Sequence, residues 1–315
     1  MAFRTNLMKV LSFYALRKIG HHKNMTRFYK VQMIQRSPVY FNSLFYFILI
    51  NFLPTAKMES IRVDDKTNKN DNNKNEISVQ AALIQSDELF LIGKFSESYN
   101  ALSSFKETDD PEVLWRLSRA LYNMSKQKGT SKTDKEAQIK EAYQYIEKAL
   151  SLNQEHYAIH KWTAILIDAK SALESIKSRI NNLPLFKKHL TMAIELNPKD
   201  ATSIYMLGQY MYNIADMSWL QLTIAKTLFG TPPEASFEEA FYYFSRAEEV
   251  EPNFYSANLL MLGKTCLKLK RIEAAQYWLK CATSYPVRTD EDEAVRLEAE
   301  ALLKKYSTLK TEVQN

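Results

Sequence analysis

The chain has 315 residues, 46% of them hydrophobic, enough apolar material to bury a substantial core and to exclude disorder throughout. Six glycines and nine prolines supply little turn chemistry for a multi-stranded sheet, while Ala, Leu, Lys and Glu recur at helical spacing, so the composition favours an all-α fold. The formal charge of +6 is unevenly placed: residues 1–58 hold nine Lys or Arg and no Asp or Glu, leaving −3 on the remainder, which lacks the net basicity of a nucleic-acid-binding domain.

Residues 1–58 form a basic and apolar leader. Arg4, Lys9, Arg17, Lys18, Lys23, Arg27 and Lys30 accompany Phe3, Leu7, Val10, Leu11 and Tyr14, which share a helix face if helical. Two readings stand: a targeting or membrane-associating helix, or a basic tail. Val39–Leu53 is an aromatic and aliphatic run interrupted by Asn42, Ser43 and Asn51 and stopped by Pro54. It falls short of the ~20 residues of a membrane-spanning helix, so a shallow anchor and a true span remain alternatives, and translation from Met58 is a third. A phospholipid or membrane surface is the partner expected for this segment. Residues 59–76 read as a polar linker, because DDKTNKNDNNKNE at Asp64–Glu76 has no apolar side chain to bury.

Residues 77–307 read as a solenoid of antiparallel helix pairs of the tetratricopeptide (TPR) type, with 308–315 as a flexible tail. A TPR unit is about 34 residues long, with small residues where its two helices touch and a proline closing the second. Val79–Phe105 reads as a degenerate pair turning at Gly93. Leu114, Leu117, Ser118 and Leu121 then form the first helix of a unit from Pro111, and Ala142, Ile146 and Ala149 its second. Another unit runs from Tyr157 to Ala193 and Pro198. Next come Ile204, Leu207 and Gly208, then Ala240, Phe244, Ala247 and Pro252, separated by an apolar insertion with Met217, Trp219, Leu228, Phe229, Gly230, Pro232 and Pro233 that is expected to pack on the array. The last unit, Ser256 to Thr289, has Leu259, Leu262, Gly263 and Cys266, then Ala275, Leu279, Ala282 and Pro286. Asp290–Tyr306 reads as a capping helix, atypical because one of its faces meets water.

No catalytic constellation emerges, and neither enzyme activity nor a cofactor is expected. Gly263-Lys264-Thr265 has Asn258 where a phosphate-binding loop needs glycine. His156 and His160 stand at i, i+4 without a third metal ligand, and Tyr157 occupies the place of a zinc-peptidase glutamate. Cys266 and Cys281 lack metal spacing and read as small core residues in a reducing compartment. In TPR arrays the second, fifth, ninth and twelfth positions of each first helix line an inner groove. Here those positions include Trp115, Arg119, Tyr122, Lys161, Ile165, Asp168, Tyr205, Gln209, Tyr212, Leu260, Lys264 and Leu267. This aromatic lining with a few cations suits a peptide or an acyl chain. The alternative is that these residues pack internally.

Particular strings go beyond the generic repeat: EVLWRLSRALYNMS at Glu112–Ser125, HKW at His160–Trp162, HLTMAIELNPKDATSIYMLGQY at His189–Tyr210, LFGTPP at Leu228–Pro233, EPNFYSANLLMLGK at Glu251–Lys264 and YWLKCATSYPVRTDED at Tyr277–Asp292. Together they resemble the regulator of microtubule dynamics family, over about Asp87–Tyr306. The resemblance implies a TPR-like domain, microtubules, tubulin or microtubule-associated proteins as partners, a cytoplasmic, spindle-pole location and no catalysis. Some relatives carry an N-terminal membrane segment and sit at mitochondrial or endoplasmic-reticulum surfaces. On direct binding to acidic tubulin tails, the basic leader is the expected contact.

Overall fold

The computed structural model describes residues 71–312, with side chains over 78–306. The expectations for the leader lie outside the described residues. Within them, all regular structure is helical.

The degenerate first pair is α1 (Asp71–Leu91) and α2 (Phe95–Leu102), with a 3-10 turn at Ser103–Phe105. The turn falls at Gly93, whose φ of 76° is readily open only to glycine. In place of a glycine contact, two fully buried serines close the pair: Ser86 Oγ donates to the Ser98 carbonyl at 3.0 Å and Ser98 Oγ to the Ser86 carbonyl at 2.9 Å. Helix α1 includes Asp71–Glu76, inside the stretch read as linker. Once the packed turns nucleate it, adding polar residues to its end is cheap.

Four units follow. The first pairs α3 (Pro111–Met124) with α4 (Lys132–Leu152). The second pairs α5 (Tyr157–Glu174) with α7 (Leu183–Leu196), with short α6 (Ile176–Asn181) between them. The third pairs α8 (Ala201–Ala215) with α10 (Phe237–Val250), with α9 (Trp219–Phe229) between them, and the fourth pairs α11 (Ser256–Lys268) with α12 (Ile272–Thr283). Helix α13 (Asp290–Glu312) packs on α11 and α12 and runs past Tyr306 into the stretch read as a tail. Starts are encoded locally: Asp110 accepts from Glu112 N at 2.8 Å ahead of Pro111, and Ser218 and Ser236 form capping boxes with Gln221 and Glu239.

The eighth position of each first helix decides how closely its partner approaches. A Cβ on Gly208 would stand 2.8 Å from the Phe244 ring of α10, and one on Gly263 would stand 2.7 Å from Leu279 of α12. Ala164 fills the position in α5 and is fully buried. Ser118 fills it in α3, its hydroxyl lying within hydrogen-bonding distance of the Leu114 carbonyl (3.0 Å) and, across the pair, of Ala142 O (2.9 Å). The facing helices answer with fully buried Ala142, Ala149, Ala193, Ala240, Ala247 and Ala275. Small residues on both sides let each pair interlock and leave its larger side chains for the next unit.

The insertion packs on the array as expected, but only in part. Ala225 is fully buried, and Met217, Ile224, Leu228 and Phe229 pack partly against the core, whereas Trp219, Leu220 and Leu222 are 79%, 47% and 39% exposed. Helix α9 is largely apolar, with Thr223, Lys226 and Thr227 among its exposed residues, and its principal helical neighbour is the two-turn α6, so one face is covered and the other is left to solvent.

Candidate functional site

The inner-face positions form a seam between successive first helices. Trp115 is buried, donating from Nε1 to Glu112 at 2.9 Å, with the Arg116 guanidinium 4.3 Å and that of Arg119 5.0 Å from its ring. Arg119 lies over Phe90 at 3.9 Å and donates to Asp87 Oδ1 at 2.6 Å, so α1 covers it. Tyr122 tilts against Trp162 of the next unit at 5.8 Å. Lys161 pairs with Asp200 at the start of α8 at 3.1 Å, and Ile165 is 1% exposed.

The pattern continues along the array. Tyr205 meets Tyr255 of the next unit edge-on at 5.2 Å and donates to Gln209 at 3.3 Å, and Gln209 donates to Asn213 at 3.0 Å. Tyr212 stands edge-on to Phe237 at 5.3 Å, Leu260 is buried and Leu267 partly so. Lys264 pairs with Glu298 of the capping helix at 2.8 Å and keeps a part-exposed side chain. Of the residues expected to line an open groove, Arg119, Tyr122, Lys161, Tyr205 and Lys264 are therefore engaged across unit boundaries, and most of the others are buried or held within their own unit. The repeat position fixes the direction of each side chain, but the bulk of the neighbouring first helix decides whether that direction is open. A terminal carboxylate would have to displace Asp87 from Arg119 and Asp200 from Lys161.

Beside the seam lies a small cavity of about 20 Å3, bounded by Ile167, Leu183, Phe186, Tyr210, Ile214, Asn213 and the Asp168–Arg179 pair. Arg179 grips Asp168 with bonds of 2.9 and 2.7 Å. Asn213 Nδ2 is buried without a protein acceptor among the described residues. The volume suits a single water and is too small for an acyl chain.

Three titratable clusters follow from burial. Burial alone would raise the Asp87 carboxyl, but Arg116 and Arg119 outweigh it and hold the group below its usual value. Burial pulls Arg119 down to about 10 against the opposing pull of Asp87. His160 Nε2 faces the Gln154 carbonyl at 2.8 Å and must donate there, so a neutral His160 accepts at Nδ1 from His189 at 2.9 Å. Burial, with His160 beside it, pushes His189 down to about 4, which keeps that ring neutral. His156 lies instead 3.2 Å from Glu112, so the two histidines weighed as metal ligands have different partners.

At the array's end, Tyr255 donates to Glu291 of α13 at 2.5 Å and Ser256 to Asp292 at 2.7 Å. Burial pushes the Glu291 carboxyl up to about 8; the Tyr255 hydroxyl opposes this and Asp292 adds to it. The folded group thus binds its proton more tightly than an ordinary glutamate at 4.5. Its contribution to stability is complete below 4.5 and is lost as pH rises through about 8. Thermal unfolding followed by circular dichroism is expected to show the melting temperature falling between pH 4.5 and about pH 8, with a shallower slope for Glu291→Gln. Parallel slopes would remove Glu291 from the account.

Among the described residues no group of three or more His, Cys, Asp or Glu is placed to hold a metal, and no helix is long and apolar enough to cross a membrane. Cys266 is buried in the core, which pushes its thiol up to about 11, away from nucleophilic use.

Paired helices with small residues at closest approach and a neighbour-to-neighbour seam define a TPR-like helical-repeat protein. A thermophilic TPR protein of Thermus thermophilus, TTC0263, shares the fold, with a TM-score of 0.50 at 14% identity over 70% of this chain and 98% of that one. The family described as "Regulator of microtubule dynamics protein 1-3" matches residues 82–307, and the chain belongs to that family. Regulator of microtubule dynamics protein 1 of Bos taurus is 46% identical over 229 residues, 73% of this chain and 72% of the relative. Regulator of microtubule dynamics protein 3 of Xenopus laevis is 35% identical over 184 residues, 58% of this chain and 40% of the relative.

Proposed function

We propose that the protein is a non-enzymatic scaffold that associates with microtubules through protein–protein contacts and influences their dynamics, at spindle poles and, through its leader, at mitochondrial or endoplasmic-reticulum surfaces. The family match across nearly the whole array carries this reading, because it extends through the insertion as well as the repeats. The geometry agrees with it: Lys161 and Lys264 on the seam are paired to the helix that follows in the array, and the cavity offers no room for an organic substrate. What remains for function is surface.

Cosedimentation of the purified full-length chain with stabilised microtubules tests the reading. Saturable pelleting that weakens with salt is expected, since opposed surface charges are screened beyond about 8 Å at physiological ionic strength. A version lacking residues 1–58 is expected to pellet less, because the leader holds nine basic residues and no acidic one. Failure of the full-length chain to pellet at any salt would exclude direct association.

A further inference from the structure

The surface left by the insertion differs from the rest of the array in both hydrophobicity and charge. Helix α9 exposes Trp219, Leu220 and Leu222 in its first turn, and Ile176, 47% exposed, opens α6, against which α9 packs. Residues 175–194 and 217–233, which include α6, α9 and most of α7, contain Lys177, Lys187, Lys188 and Lys226 and no Asp or Glu. All four lysines are exposed, and none has a salt-bridge partner among the described residues. Arg179, the other cation here, is already held by Asp168. Elsewhere several lysines are matched locally, as Lys148 is by Asp109, Lys264 by Glu298 and Lys268 by Asp216. Two segments that carry four exposed lysines and no carboxylate of their own, with Glu174 just before them accepting from Ser178 of α6, thus accompany an exposed tryptophan on a body whose formal charge is negative.

We propose that this α6–α9 surface is a docking site for an acidic segment of a partner protein, with Trp219 and its two leucine neighbours as the apolar anchor and Lys177, Lys188 and Lys226 as carboxylate contacts. The proposal rests on the microtubule reading, in which the acidic partner belongs to the microtubule. Charge complementarity selects the occupant: a second copy meeting this face across a two-fold axis would bring lysines against lysines. The shape of the anchor separates a protein from a lipid surface. A helix lying in a membrane interface presents a continuous apolar stripe. In α9 the exposed apolar side chains end after the first turn and give way to Thr223, Lys226 and Thr227. A compact Trp-Leu point with Lys226 further along the same helix and Lys177 on α6, against which α9 packs, has the composition of a protein hot spot with a polar rim.

The test uses the full-length chain and two variants at exposed positions, W219A/L222A and K177E/K188E/K226E, with stabilised microtubules as probe and thermal unfolding to confirm unchanged folding. Each variant is expected to lose about tenfold in affinity, the charge variant also showing a flatter salt dependence. Wild-type pelleting with both variants unchanged overturns this surface and leaves the microtubule reading standing. No pelleting by the wild type overturns both. Capture by phosphatidylserine vesicles that either variant abolishes, with microtubule pelleting unchanged, overturns the partner class in favour of lipid. Self-association lost in W219A/L222A, again with microtubule pelleting unchanged, assigns the face to a second copy instead.

Discussion

Gly208→Val is expected to destabilise the array by about 3 kcal/mol, near the upper end of what overpacking a core typically costs. For a domain of this size that lowers the melting temperature by about 6–12 °C. Valine's Cβ would stand 2.8 Å from the Phe244 ring, and the ring cannot retreat because Phe244 is fully buried and packs against Tyr205 at 5.6 Å. The strain therefore moves α8 away from α10. Gly208→Ala is expected to be milder, since alanine's better helix propensity returns about 1 kcal/mol. Phe244→Ala alone costs about 3–5 kcal/mol by leaving a cavity. The two should not add: in the Phe244→Ala background the Gly208→Ala methyl enters the vacated volume, giving a favourable coupling of about 1 kcal/mol or more by denaturant unfolding. Strict additivity would show that the close approach carries no energy.

That contact also shows what was legible in the sequence. Gly208, Gly263, Ser118 and the facing alanines stand at fixed spacing because the geometry of a helix pair repeats, and a period can be read without knowing the neighbours. The turn at Gly93 was legible for the same local reason. The inner face was not legible in this way. Its positions identified Trp115, Arg119, Tyr205 and Tyr212 as pointing inward, yet burial depends on Phe90, Tyr255 and Phe237, which lie on other helices with no motif connecting them. The insertion followed expectation in part: hydrophobicity predicted packing, and Ala225, Ile224, Leu228 and Phe229 do pack, but α9 has too little neighbouring helix to cover its first turn. Its one lysine, Lys226, and the helix that carries Lys177 meet only in the fold. The signal available earlier was the lack of carboxylates in two segments separated along the chain.

Asp87→Asn is expected to cost about 3 kcal/mol, the usual price of leaving a buried charge without its partner. Asp87 binds two guanidiniums at once, Arg116 through its Nε at 3.0 Å and Arg119 through Nη2 at 2.6 Å. Arg116 keeps Glu112 at 2.6 Å, whereas Arg119, whose Nε already lacks a partner among the described residues, loses its carboxylate. The damage should be local, because Asp87 lies on α1 and both arginines on α3. Hydrogen exchange is expected to rise through α1 and α2 while α8–α12 keep their protection. Adding Arg119→Met should recover most of the loss, since an unbranched apolar side chain fills the space under Phe90 without a charge to neutralise. Recovery in the double variant, together with unchanged microtubule cosedimentation, would make Arg119 the clasp between the degenerate first pair and the repeats. An unperturbed single variant would return it to the list of cations free to meet a ligand.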